Sequence, residues 1–187
     1  MDKWAHLGHH LGECWVDSNK NVTYINIPKN ASTFIKRQLI NTNGFIHSDI
    51  LIHADQYLIV LRDPIERWIS AVAQLLTAKD NHMTYDKLAN IITTDDHTET
   101  QTYFLQNVEI DKCIFFMVNS NLSKNLQQWL DNNGYKMNVS HLTNQGDQNI
   151  KKYVKERVDN DANFVLKLAE HYANDYELIN RVKFYGN

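Results

Sequence analysis

Apolar positions fall along this chain in two alternating rhythms. Val22 to Ile27 is rich in β-branched and aromatic residues, which predicts a strand, and Pro28 ends it. A helix follows from Ser32 to about Asn41, with Phe34, Ile35, Gln38 and Leu39 on its inner side. Asn43-Gly44 is a turn signal. Phe45 to His47 reads as a short strand. Tyr57 to Leu61 is a continuous apolar run, as expected of a strand covered on both faces. Asp63-Pro64-Ile65-Glu66 then marks a sharp helix start. Asp63 suits the cap, Pro64 the first helical position and Glu66 the third. Trp68, Ile69, Val72, Leu75 and Leu76 form the buried side, and Trp68 and Trp129 are expected in the core.

The second half continues the alternation. Helices are predicted over Tyr85–Ile92 and Leu122–Asn132, the latter leaving at Gly134. Gln101–Leu105 reads as a helix or turn near a site, and Cys113–Val118 as a buried strand. Residues 138–149 read as a loop. Ile150–Arg157 and Asp161–Asp175 read as two helices. Residues 1–20 have little periodicity, although Trp4, Leu7, Leu11 and Trp15 can share a short helical face. With no repeat or linker in view, the pattern predicts a single α/β domain over 1–187 with a mostly parallel central sheet.

Composition narrows the function classes. The chain has 187 residues, 43% of them apolar, with 22 acidic and 19 basic side chains and a formal charge of -3. That balance provides no bulk attraction to nucleic acid or an anionic membrane. No segment is apolar for long enough to span a bilayer, so no integral membrane contact is expected. The chain has two cysteines, Cys14 and Cys113, read as free thiols of a reducing compartment. No signal-peptide pattern opens the chain, and a cytoplasmic location is expected. His6, His9 and His10 lack a completing ligand pattern, so no metal site is expected.

Two stretches carry chemistry. In the first, a strand delivers Pro28-Lys29-Asn30-Ala31-Ser32-Thr33 to a helix start. Free amides there can hold a phosphate. Ser32 and Thr33 add hydroxyls, and Lys29 adds a mobile charge. A solvent-exposed turn with a capping serine would look the same. The stretch is not a Walker A loop, because no GxxxxGK[ST] is present.

In the second, Arg62 leaves the Tyr57–Leu61 strand at its carboxyl end, where open α/β sheets gather ligands. Arg67 and Ser70 follow on the next helix, Ser70 about two turns in. A guanidinium fork fits phosphate oxygens. The plain alternative pairs Arg62 or Arg67 with Glu66 or another surface acid. Two anion sites, each after a strand, suit a nucleotide phosphorylated at both ends better than ATP.

At these residues the chain resembles the sulfotransferase superfamily that uses 3'-phosphoadenosine 5'-phosphosulfate. Pro28 to Thr33 resembles its 5'-phosphosulfate loop. Arg62-Asp63-Pro64 through Arg67 and Ser70 resembles its 3'-phosphate motif. Asp96 to Leu105 is similar to a His-to-Gln segment of carbohydrate sulfotransferases. His141 to Asn144 and Tyr172 to Leu178 resemble their C-terminal blocks.

The resemblance implies a three-layer sandwich of the P-loop nucleotide-kinase kind and sulfuryl transfer to a hydroxyl, on a small molecule or glycan. Adenosine 3',5'-bisphosphate would be the product. Lys29 and the amides of Asn30, Ala31, Ser32 and Thr33 would hold the 5' end, and Arg62 and Ser70 the 3'-phosphate. Gln101 would bind cofactor or acceptor. The chain is short for such an enzyme, so a long substrate or partner subunit would cover the acceptor side.

Among candidate general bases, His47 leads because a strand end should carry it to the crevice, and His53 is its rival. His97 either faces the site or caps the turn at Asp95 and Asp96. The alternatives are a nucleoside or metabolite kinase with a degenerate phosphate loop, and a non-catalytic nucleotide-binding protein.

Overall fold

The computed structural model describes residues 11–42, 44–78, 83–140 and 146–186. His6, His9, His10, Trp4, Leu7, Asn43, His141 and Asn144 lie outside the described residues. The element order is β1 (Cys14–Asp17), β2 (Val22–Ile25), α1 (Ser32–Asn41), β3 (Ile46–Ser48), β4 (Gln56–Leu61), α2 (Pro64–Thr77) and α3 (Tyr85–Ile91). Then come α4 (Gln101–Phe104), β5 (Cys113–Met117), α5 (Leu122–Asn132), α6 (Gln148–Asp159), α7 (Ala162–His171) and α8 (Ala173–Arg181).

The strands form one five-stranded sheet in the order β3-β1-β2-β4-β5. The pairs β2–β4 and β4–β5 are parallel, whereas β1 is antiparallel to both β2 and β3. The sheet is therefore mixed rather than mostly parallel, with β1 the one reversed strand. β1 also replaces the helical face expected through Trp15. Its four residues are all buried, so no apolar–polar alternation betrays it. Its one acid, Asp17, is 2% exposed. Asp17 is satisfied there by the Tyr135 hydroxyl at 2.8 Å and by the amides of Asn19 and Lys20.

The pleat of β4 explains its unbroken apolar run. Leu58 and Val60 face a core with Phe34, Ile35 and Leu39 of α1 and Leu126 and Trp129 of α5. Tyr57, Ile59 and Leu61 face the other side, against Phe104, Leu105 and Leu178. Helices thus cover both faces, and period-two alternation would have left one face wet. Trp68 and Trp129 are both in the core. A third cluster unites α2, α3, α6 and α7 around Trp68, Val72, Leu88, Val154 and Leu168.

Helix ends follow the local chemistry. Asp63 caps α2 through the Glu66 amide at 2.9 Å, with Pro64 in the first turn. The single helix expected over Asp161–Asp175 is instead two, broken at Tyr172. Tyr172 is buried and its hydroxyl donates to the Thr98 carbonyl, so a tertiary contact sets the break. Among the described residues, no helix is long and apolar enough to cross a membrane.

Candidate functional site

The loop from β2 to α1 has no glycine, yet two of its residues take left-handed backbone. Lys29 has φ 68° and Ala31 has φ 57°. Such conformations cost a non-glycine residue about 1–2 kcal/mol, so neighbours must hold them. Three do. Arg62 Nη1 donates to the Lys29 carbonyl at 3.1 Å. Arg67 Nε donates to the Pro28 carbonyl at 2.9 Å. Asn30, fully buried, donates from Nδ2 to the Val60 carbonyl at 2.7 Å and to Gln101 Oε1 at 2.6 Å.

This turn aims α1 at the cavity. The helix has no side-chain cap at Ala31, and its first bond runs from the Ile35 amide to the Ala31 carbonyl. The amides of Ser32, Thr33 and Phe34 are left without an intrahelical acceptor. A left-handed residue directly before a right-handed turn orients such amides into an anion-holding concavity. The Asn30 amide differs, since it bonds to the Ile27 carbonyl at 3.3 Å.

The cavity has a volume of about 420 Å³. Lys29, Ala31, Ser32, Thr33, Arg62 and Ser70 line it together. The fold thus joins the two stretches that the sequence separates. Lys36 and Arg37 of α1, Gln74 of α2, Lys151 of α6, His97 and Asn26 are further lining residues, with Glu13 and Asp96 as its carboxylates. Among the described residues cations outnumber acids, and an anionic ligand is the complement.

Lys29 reaches across to α2, donating from Nζ to Gln74 Oε1 at 2.7 Å. Burial, and then the positive charges of Arg62, Arg67 and Lys151, bring its ammonium down to about 8. Arg62 is held from behind and faces Glu66 at 3.8 Å. Glu66 also receives Lys155 at 3.1 Å and Lys151 at 3.8 Å. Its carboxylate therefore joins α2 to α6, a role beyond the helix-start acid read from the sequence.

One expected contact, Gln101, takes another role, and the motif residue Arg67 is buried as well. Gln101 is fully buried behind the cavity wall. Its Oε1 accepts from the Arg62 amide and its Nε2 donates to the Arg62 carbonyl, both at 2.9 Å. It positions the site. Arg67 is 1% exposed and spends its guanidinium on the carbonyls of Pro28, Glu99 and Asp96. Among the described residues it forms no ion pair, though the charges of Asp175, Asp96 and Glu99 favour it, and it fastens the loop to the 96–99 turn.

The histidines separate by position. His53 precedes β4 at its amino end, away from Arg62, with Nδ1 3.1 Å from the Tyr57 hydroxyl. The structure does not bring it to the cavity. His47 lies on β3, opposite Trp15, with Nε2 3.3 Å from Glu13 Oε1. Glu13, not His47, lines the cavity, and Asn26 Nδ2 donates to its other oxygen at 2.6 Å. His97 both lines the cavity and ties the turn, with Nδ1 3.1 Å from Asp95 and 2.9 Å from Asp96. Burial would lower its pKa, but the hydrogen bonds and charges of those two acids outweigh it, holding the imidazolium up at about 9.

Glu13 has no local sequence signal, because antiparallel pairing of β1 with β2 brings it beside Asn26. Lys36, Arg37 and Gln74 were legible in principle. They stand four residues beyond Ser32, Thr33 and Ser70, on the same helical rows. No family model, no curated protein and no solved structure matches this chain.

Proposed function

We propose that the chain transfers a sulfuryl group from 3'-phosphoadenosine 5'-phosphosulfate to a hydroxyl acceptor, on a frame of the three-layer, P-loop-kinase-like kind. The observation that carries this reading is that two separate stretches, each bearing free amides, hydroxyls or cations after a strand, line one cavity. The α1 start with Lys29 and the Arg62–Ser70 pair both line it. A donor anionic at both ends matches that arrangement, and the volume is within the range of small-molecule sites.

Each residue then has a task. The uncapped amides of α1, with Ser32 and Thr33, bind the phosphosulfate. Arg62 and Ser70 bind the 3'-phosphate and fix the donor's position. The acceptor oxygen forms its bond to sulfur as the sulfur–oxygen bond to the 5'-phosphate breaks. Lys29 answers the charge that grows on that departing phosphate. The hydroxyl proton passes to Glu13, the carboxylate on the cavity wall, which Asn26 and His47 orient. His47 thereby becomes a positioning residue, and His53 has no task.

Calorimetry with adenosine 3',5'-bisphosphate, 5'-AMP and ATP tests the donor, followed by transfer of label from the phosphosulfate to mixed acceptors. The bisphosphate should bind best, and Arg62→Ala and Ser70→Ala should erase its advantage over 5'-AMP. Absence of bisphosphate binding at millimolar concentration overturns the reading. Preference for ATP with magnesium-dependent turnover selects a kinase. Binding without transfer across the panel selects a non-catalytic nucleotide-binding protein.

A further inference from the structure

Glu13 lies just before β1 and Asn26 just beyond β2, and both line the cavity. Their backbones are joined, with the Asn26 amide donating to the Glu13 carbonyl at 3.0 Å. Asn26 Nδ2 donates to Glu13 Oε2 at 2.6 Å. That bond fixes which way the side-chain amide points, since a flipped amide would set oxygen against oxygen. Asn26 is 7% exposed. Among the described residues, its Oδ1 is buried and accepts no hydrogen bond. Buried acceptors in native proteins find a donor, so this oxygen calls for a ligand hydrogen.

Two acceptors, a carboxylate and an amide oxygen, thus stand side by side on the cavity wall. An alcohol has one hydrogen to give and serves one of them. Water has two and serves both, with a lone pair left over. A primary amine also has the hydrogens, but near neutral pH it is an ammonium with no lone pair. A bound water takes about two to four polar partners, and this pair supplies the first two. The Glu13 side chain is 28% exposed, so solvent reaches it.

We propose a second activity, hydrolysis of the phosphosulfate donor by a water that Glu13 and Asn26 hold in the place of an alcohol. This rests on the sulfuryl-transfer reading for the donor, but the nucleophile is new. The water oxygen forms its bond to sulfur as the bond from sulfur to the bridging oxygen breaks. The bridging oxygen and that electron pair leave with the 5'-phosphate of adenosine 3',5'-bisphosphate. Glu13 takes one water proton, and the product is hydrogen sulfate, which gives its remaining proton to solvent. No oxidant or further substrate enters. Transferases suppress such a reaction by closing over the site, and the exposure of Glu13 leaves water a way in.

The test uses the full chain and sulfur-labelled 3'-phosphoadenosine 5'-phosphosulfate in heavy-oxygen water, with no alcohol added. Sulfate and bisphosphate should appear in equal amounts, ~10²-fold or more faster than without protein. Heavy oxygen from the solvent should enter the sulfate and not the bisphosphate. Glu13→Gln should lower the release ~10²-fold, and Asn26→Ala ~10-fold. In Asn26→Ala, release should fall more than transfer to the mixed hydroxyl acceptors, because an alcohol spends its single hydrogen on Glu13. Calorimetry with the bisphosphate reports whether each variant keeps the cavity. The heavy-oxygen result is read on the unaltered chain and decides whatever the variants do. Release at the protein-free rate overturns the proposal. So does heavy oxygen in the bisphosphate, which means attack at phosphorus, or an equal fall of release and transfer in a folded Asn26→Ala chain.

The two readings fail separately. If label reaches an alcohol but protein adds nothing to sulfate release, transfer stands and hydrolysis falls. If sulfate is released with dependence on Glu13 and Asn26 while no alcohol of the panel is sulfated, hydrolysis stands and transfer to a hydroxyl falls.

Discussion

Gln101 and Arg62 are joined in both directions, amide to Oε1 and Nε2 to carbonyl, each at 2.9 Å. The side chain of Gln101 thus pairs with the backbone at the end of β4 much as a neighbouring strand would. Asp175 completes the arrangement. Its carboxylate accepts from the Gln101 amide at 2.8 Å and the Thr102 amide at 2.9 Å, capping α4 from α8. Arg62 leaves the sheet on a fixed trajectory because buried groups on two other elements hold its peptide.

Gln101→Ala should therefore act on both stability and binding. It strands the Arg62 amide and carbonyl and removes one acceptor of Asn30. Leaving a buried polar group unpaired costs about 1–3 kcal/mol. Urea unfolding should show a loss of about 2–4 kcal/mol, given incomplete additivity. In the folded fraction, affinity for adenosine 3',5'-bisphosphate should fall more than affinity for 5'-AMP. An unchanged unfolding midpoint would contradict the pairing.

Lys29 should couple ligand binding to protons. Its ammonium is brought down to about 8 in the free protein, so above that pH the free amine is largely neutral. A bound phosphate favours the ammonium and raises its pKa again. Binding of the bisphosphate between pH 8 and 10 should then take up a proton. Calorimetry in buffers of different ionisation enthalpy measures the uptake, and Lys29→Ala should abolish it. Turnover in that variant should drop ~10²-fold or more, the usual effect of losing one transition-state donor.

Glu13 and His47 are separable by mutation. Glu13→Gln keeps the shape but cannot take the hydroxyl proton, and should lower kcat by ~10²-fold or more. Bisphosphate affinity should be nearly unchanged. His47→Ala should cost less, because the ring touches Glu13 and not the cavity. It should lower kcat without weakening bisphosphate binding, since the contact that orients the carboxylate is lost. A greater loss in His47→Ala than in Glu13→Gln would return the base to the histidine.

His97 should make stability depend on pH. Its folded pKa is raised to about 9 from an ordinary 6.5. The contribution is fully present below pH 6.5 and fades as pH rises through 9. Melting temperature should accordingly decline across that window through this group. His97→Gln should be less stable at pH 6 and should flatten the decline. Equal slopes for the two proteins would show that His97 is not charged in the folded state.

Much of the fold is local in origin, and so was legible. The start of α2 is written by Asp63 and Pro64, and its cap bond is present as expected. The bounds of α1 and α5 match their apolar spacing, because each buries one face on the sheet. The loop residues Lys29, Ser32 and Thr33 follow a strand and begin a helix, and that context alone exposes the α1 amides. Arg62 at the end of β4 was readable for the same reason.

What the sequence could not decide is pairing. A four-residue strand buried on both sides has no period to read, so β1 and its reversal of the sheet came only with the fold. That reversal seats Glu13 beside Asn26 and sets His47 behind it. Burial decided the rest. Gln101 and Arg67 are ordinary polar residues in the sequence, but removed from water each must satisfy every donor. They are spent on backbone carbonyls and amides, and what they leave facing the cavity is Lys29, Arg62 and Ser70. Local propensity can be read along a chain. The partner of a buried polar group, which lies tens of residues away, is chosen by packing.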